Sequence, residues 1–280
     1  MSLDGKVTVI TGASMGIGEA IARLFADEGG SVVLSSRDLE RAEAARARVG
    51  HPERTLAVAC DVSQPDAVQK LAQAALARFG RIDLWINNAG HGLMDSVAGM
   101  DMAECRRMFD TNLFGAIHGI QAATPIMKRQ GSGTIANISS VAGHIAVPGM
   151  AAYSATKFAM NAIGKGARVE LKGTGVHLMT VCPGYISTDF GANAVKGSEA
   201  KRLGSARRGI TAERVARAVL RGYLAQKREV VVPWRDRIVI KIYQLFPKLV
   251  ERAMGRMLRP ADQVLAEREA LRQRDRANAS

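Results

Sequence analysis

Apolar residues fall into short uninterrupted runs, and between the runs they recur every three or four positions; this rhythm persists through most of the chain. Residues 7–10, 31–34, 56–59, 82–86, 134–138 and 176–181 read as strands, with helical patterns between them, the first two near residues 17–28 and 38–48. A last strand is predicted at 229–232, just before Pro233, after a helix whose start is signalled by Thr211 and Glu213. Runs that lack polar alternation are strands buried on both faces. Strand and helix in alternation therefore predict an α/β fold, a doubly wound parallel sheet with right-handed crossovers and helices on both faces. Such sheets bind ligands beyond the carboxyl ends of their strands, which directs attention to the loops after the first, second, fourth, fifth and sixth strands. No repeat, low-complexity run or Ser/Gly linker divides residues 1–233, which are read as one domain.

Charge alters this picture in one region only. The net charge is +13, yet residues 1–195 carry 18 Lys/Arg against 17 Asp/Glu, whereas residues 196–280 carry 21 against 9, so +12 of the excess belongs to the last part of the chain. A basic character confined there makes a nucleic-acid partner an unfavoured reading. The three cysteines, Cys60, Cys105 and Cys182, are scattered and odd in number, which predicts a reducing compartment and no disulfide framework. The apolar run at residues 7–10 is too short for a signal peptide or a spanning helix, so the expectation is a cytoplasmic protein. The histidines show no metal-ligand spacing, and none is read as a metal ligand.

The first predicted strand ends in Thr11-Gly12-Ala13-Ser14-Met15-Gly16-Ile17-Gly18. Glycines there let the backbone approach a pyrophosphate while the next helix aims its N-terminus at the negative charge. The spacing differs from the widespread G-x-G-x-x-G, so taken alone it is as compatible with structural punctuation as with a nucleotide. Asn87-Asn88-Ala89-Gly90 follows the fourth strand, Asn112 lies in the next long helix, Ser140 ends the fifth strand, Tyr153 and Lys157 stand four apart in a helix, and Pro183-Gly184 follows the sixth strand. These motifs, in this order, resemble the short-chain dehydrogenase/reductase family over about residues 5–232.

The resemblance implies a Rossmann-type sheet and a nicotinamide cofactor. Gly12, Ser14, Gly16, Ile17 and Gly18 would meet the pyrophosphate, Asp61 and Val62 the adenine, and Asn88, Ala89 and Gly90 would shape the cofactor loop. Pro183, Gly184, Ile186 and Thr188 would border the nicotinamide. At the end of the second strand NAD-binding sheets place an acidic side chain on the ribose hydroxyls. This chain has Ser35-Ser36-Arg37 instead, so Ser36 and Arg37 predict acceptance of the 2′-phosphate of NADP(H).

The spacing of Tyr153 and Lys157 puts both side chains on one helical face. A neighbouring ammonium favours the phenolate, so Lys157 is expected to tune Tyr153 downward. The family mechanism, carried over, makes Tyr153 the general acid/base, gives Lys157 the nicotinamide ribose, has Ser140 hold the substrate oxygen and has Asn112 anchor a water. Ser139 is the alternative to Ser140. His91 and His144 lie near these motifs as pocket candidates, while His51, His118 and His177 read as structural.

Residues 190–210 break the pattern where the family carries a variable substrate lid, with Gly191, Gly197, Gly204 and Gly209 allowing movement. No polar recognition set is evident, so the expected substrate is an apolar carbonyl compound or alcohol. Reduction of a 3-oxoacyl group on an acidic carrier protein is the alternative among enzymes, and a non-catalytic NADP-binding regulator the alternative outside them. Residues 234–280 read as a basic, amphipathic helical extension. Val239, Ile242, Tyr243, Phe246, Val250, Met254 and Met257 share a stripe interrupted by Pro247. Three readings of residues 234–260 stand side by side: packing over the pocket, contact with a second subunit in a homo-oligomer, or peripheral binding to an anionic membrane at its inner face.

Overall fold

A computed structural model describes residues 2–186, 194–197 and 209–256. Seven parallel strands form its main sheet: β1 (Val7–Ile10), β2 (Ser31–Ser36), β3 (Thr55–Ala59), β4 (Leu84–Asn87), β6 (Gly133–Ile138), β7 (Val176–Pro183) and β9 (Glu229–Val232). Their order across the sheet is β3-β2-β1-β4-β6-β7-β9. The chain thus starts in the middle and winds outward to both edges, the Rossmann-like arrangement expected. Adjacent loops diverge at the carboxyl ends of β1 and β4, which opens a crevice there.

Both faces of the sheet are covered. On one face Ile10, Val32, Leu34, Ile86, Ala136 and Val181 pack with α1 (Gly16–Asp27), α2 (Leu39–Val49) and α7 (Ala212–Leu224). Their neighbours Val9, Val33, Trp85, Ile135 and Leu178 point the opposite way, onto α3 (Pro65–Phe79) and α5 (Gly115–Gln130). Successive strand side chains alternate between faces, so each apolar run fills two layers at once.

Helix starts follow local chemistry. Asp38 accepts from the Glu40 N–H to cap α2, Asp101 accepts from Ala103 and Glu104 to cap α4 (Met102–Phe109), and Thr211 accepts from Arg214 to cap α7 as its sequence signal predicts. The fourth strand begins two residues later than expected. Asp83 is turned aside to accept the Val7 N–H at 3.0 Å and to pair with Arg81 and Lys6, which ties the starts of β1 and β4 together.

Two features carry no periodicity and were not predicted. A small parallel sheet joins β5 (Leu93–Met94) to β8 (Val195–Lys196), and a π-helical turn, Asp110–Phe114, lies between α4 and α5. The segment expected to be a substrate lid is therefore anchored where it is described, by β8 and by the Ile186–Ile210 bridge; Gly191 and Gly204 lie outside the described residues. The remaining elements are α6 (Ala151–Glu170), α8 (Asp236–Leu245) and α9 (Pro247–Gly255). The apolar stripe proposed for 239–257 is divided: Tyr243 and Met254 face Ile145, Cys182 and Val231, whereas Val239, Ile242 and Phe246 are exposed, and Ile240, outside the proposed stripe, is the residue buried there. The break at Phe246 resets the helical phase, so one continuous stripe does not form; Met257 lies outside the described residues.

Candidate active site

β1 leads into α1 through the glycine turn. Gly12 has φ +64°, a region that L side chains rarely adopt, and a Cβ there would lie 2.7 Å from Ala89 Cα. A Cβ on Gly18 would lie 2.6 Å from Asn88 Nδ2. Bare backbone at these two positions lets the first turn interlock with the loop after β4. Thr11 holds the two together: its hydroxyl accepts from the N–H groups of Asn88 and Ala89 at 3.0 and 3.1 Å. In return the Asn88 amide donates to the Thr11 and Gly12 carbonyls at 3.0 and 2.9 Å. Met15 at the N-cap of α1 makes no side-chain cap, so Gly16, Ile17 and Gly18 begin the helix without a cap side chain, and the carboxylate of the first turn, Glu19, is paired with Arg48 and Arg23. Arg48 braces the turn from the end of α2, donating to the Ser14 carbonyl at 3.0 Å while gripping Glu19 at 2.7 Å. Thr11 and Arg48 were not singled out from the sequence. Their partners lie 29 or more residues away, so no local pattern shows the bracing.

At the end of β2, Ser36 is buried and Arg37 is exposed. The nearest acid in sequence, Asp38, is engaged in capping α2 at 2.9 Å. Past β3, Asp61 accepts from the Ser63 N–H and hydroxyl at 3.0 and 2.8 Å. Val62 is buried beside Gly115, and its carbonyl meets His118 at 2.9 Å.

The π-helical turn directs Asn112 into the protein, where it is fully buried. Its Oδ1 accepts from the His91 N–H and its Nδ2 donates to the His91 carbonyl, both at 2.9 Å. A third contact reaches Thr156 Oγ1 at 3.3 Å. A Cβ on Gly90 would lie 3.0 Å from Asn112 Oδ1 and 3.8 Å from Lys157 Nζ, so the loop after β4, the π turn and α6 meet at one point. Lys157 is buried, and its Nζ donates to the Ile138 carbonyl at 2.9 Å. Tyr153, one turn earlier on α6, hydrogen-bonds with Ser140. The Ser140 hydroxyl also accepts from the Ala142 N–H at 3.0 Å and donates to the Pro183 carbonyl at 3.3 Å. Ser139 faces away, toward the Lys157 carbonyl at 3.4 Å, which favours Ser140 as the partner of the phenol.

Burial dominates the electrostatics of this cluster. It pushes the Tyr153 phenol up to about 12, partly offset by the Ser140 hydrogen bond, and brings the Lys157 ammonium down to about 8. Lys157 Nζ stands 5.7 Å from the Tyr153 ring centroid and donates to the Ile138 carbonyl. His91 is held below the usual histidine range, by burial first and then by the Arg37 guanidinium.

Other expected positions have structural partners. A Cβ on Gly184 would collide with the Asp236 carboxylate, so this glycine admits the start of α8. Pro183 ends β7, and Ile186 packs on the α1/α7 side of the core; Thr188 lies outside the described residues. His51 pairs with Asp27 and His177 with the Lys227 carbonyl, as structural histidines would.

The short chain dehydrogenase family profile matches residues 6–199. An uncharacterized oxidoreductase of Staphylococcus saprophyticus is 41% identical over 191 residues, 68% of this chain and 77% of that one. A short-chain dehydrogenase/reductase from Burkholderia phymatum, solved in complex with NAD, is 26% identical with a TM-score of 0.80, covering 89% of this chain and 96% of its own. A metagenomic short-chain oxidoreductase solved in complex with NADP is 34% identical with a TM-score of 0.69, covering 83% and 98%.

Proposed function

The chain belongs to the short chain dehydrogenase family, and from that membership we propose that it is an NADP(H)-dependent oxidoreductase acting on a carbonyl or alcohol. The observation that carries this reading is the meeting of Tyr153, Ser140, Lys157 and Asn112 beside the interlocked glycine turn. The residues fit the cofactor: the turn presents bare backbone and an uncapped helix start to a pyrophosphate. Arg37, with Asp38 engaged elsewhere, leaves a cation to grip a 2′-phosphate next to Ser36. When bound, the nicotinamide supplies or accepts the hydride.

The chain's own residues move the proton. In reduction the substrate oxygen accepts hydrogen bonds from Ser140 and Tyr153, and the Tyr153 O–H passes its proton to that oxygen as charge develops. A phenol held near 12 stays protonated through the neutral range, the form a general acid requires. Lys157 remains cationic below about 8 and stabilises the phenolate left behind. Asn112 fixes the His91 backbone and so the loop bordering the site. Leu93, Met108, Ala142 and Met150 surround Tyr153 with apolar surface, which favours an apolar substrate. Tyr153→Phe is expected to lower turnover across a panel of ketones and aldehydes by on the order of 10²–10⁴-fold while NADPH binding, followed by fluorescence, is kept. Retained turnover would refute the assignment.

Residues 234–260 carry the second part of this reading, a peripheral contact with an anionic membrane face. Among the described residues no helix is long and apolar enough to cross a membrane. Trp234, Leu245, Phe246 and Leu249 are each at least 60% exposed, and Arg235, Arg237, Lys241, Lys248 and Arg252 lie among them, a combination suited to anionic headgroups. A cytoplasmic homo-oligomer resting on the inner membrane face is the implied assembly. Trp234→Ser/Leu245→Ser should abolish sedimentation with anionic vesicles. Unchanged sedimentation discards the idea, and a change of oligomeric state alone assigns the patch to a second copy.

A further inference from the structure

A second cluster lies behind Ser140, under α8. Cys182 is fully buried in β7, Glu229 opens β9, and His144 follows the turn at the end of β6. The register pairs Thr180 with Glu229 and Cys182 with Val231, so Cys182 and Glu229 share one sheet face. His144 Nε2 stands 3.4 Å from Cys182 Sγ and 3.6 Å from a Glu229 carboxylate oxygen. The three donor atoms all lie within 4.8 Å of one another.

We propose that His144, Cys182 and Glu229 form a binding site for one divalent transition-metal ion, with zinc the metal their donor set suits best. Bond lengths of roughly 2.0 Å to nitrogen and oxygen and 2.3 Å to sulfur, at tetrahedral angles, separate the donors by about 3.3–3.6 Å; the two distances around His144 Nε2 agree with that. A ring nitrogen offers one lone pair or one proton. Here it faces a thiol, a carboxylate and the Asn161 amide nitrogen at 3.3 Å, three polar neighbours for one such position. Asn161 Oδ1 is buried beside them with no partner in the structure. Mixed sulfur, nitrogen and oxygen donors favour zinc over magnesium or calcium.

A cleft of about 460 Å³, lined by His144, Asn161, Lys165, Tyr243 and Pro247, borders the cluster at His144, where a fourth ligand, water, would enter. On binding, the Cys182 S–H bond breaks, its proton goes to solvent, and the thiolate and the Glu229 carboxylate balance the two positive charges. Lys165 at the cleft opposes the ion, so Lys165→Gln should tighten binding. The ion would join the end of β6 to β7 and β9, one residue from the Pro183 carbonyl that holds Ser140.

Untagged protein titrated with Co(II) tests this directly. The expected result is one bound equivalent, with a thiolate-to-cobalt charge-transfer band and strong visible bands of a tetrahedral site, displaced by Zn(II). Cys182→Ala should lose the charge-transfer band. Glu229→Gln, at a half-buried strand end, should fold and weaken affinity by about tenfold or more, since losing a ligand costs no less than losing an outer-shell partner, measured by competition with a chromophoric chelator. Absence of the band in the wild type, or Glu229→Gln binding with wild-type affinity, overturns the proposal. NADPH binding by the same samples verifies that the fold is intact.

Discussion

Replacing Lys157 with Met isolates the energetic cost of keeping an ammonium beneath the candidate active site. The group is 4% exposed, donates one hydrogen bond, to the Ile138 carbonyl, and is brought from an ordinary value of 10.5 to about 8 by burial. At about 1.4 kcal/mol per pH unit, folding with a charged Lys157 costs about 3 kcal/mol. The sign follows from proton binding: between the two values the unfolded chain holds the proton and the folded chain does not, so stability rises with pH across that window. The penalty is complete below about pH 8 and fades as the pH approaches 10.5. Between about pH 7 and about pH 9.5 it shrinks by about 2 kcal/mol, and Lys157→Met carries none of this dependence. The absolute difference at pH 7 is smaller than 3 kcal/mol, because the variant also leaves the Ile138 carbonyl unpaired, at about 1–3 kcal/mol. The pH-dependent difference is free of that offset. Urea unfolding of cofactor-free wild type and variant at both pH values measures it directly. The wild type should gain about 2 kcal/mol on the variant as pH rises; a gap that stays constant within a few tenths of a kcal/mol would show that burial does not depress this lysine.

Arg37→Ala should lower the ratio of NADP to NAD efficiency by about tenfold or more, the scale of one charge-assisted contact, and an unchanged ratio in steady-state assays removes Arg37 from cofactor choice. Gly12→Ala places a Cβ 2.7 Å from Ala89 Cα at positive φ, so NADPH affinity by fluorescence titration should collapse along with thermal stability; normal affinity would mean that the turn is not held as described. Asp83 is buried, yet Arg81, the Val7 N–H and Lys6 hold its carboxyl below the usual range against that burial. Its contribution is present above the unfolded carboxylate value and disappears as pH falls, so Asp83→Asn should cost about 1–3 kcal/mol near neutrality in urea melts and progressively less in acid, the scale of hydrogen bonds to a charged group whose cationic partners are half-exposed.

Apolar rhythm alone determined the seven strands, their parallel sense and the helices that cover them, because a strand buried on both faces needs an unbroken apolar run and each crossover helix needs one apolar stripe. The ordered short motifs made the glycine turn and the Tyr153–Lys157 spacing readable locally, while Asn112 and Ser140 were implied only by the family resemblance those motifs carry. Tertiary structure decided what depends on distant partners. The two-residue strands β5 and β8 exist only through each other, and the π turn that buries Asn112 has no signature in hydrophobic pattern. Thr11 and Arg48 became visible as braces only once the loops they hold were brought together. The phase of α8, which divides the C-terminal stripe into buried and exposed residues, is set by what β7 and β9 present beneath it. His144, Cys182 and Glu229 converge for the same reason: strand register, invisible to local pattern, places side chains far apart in sequence on one face of the sheet.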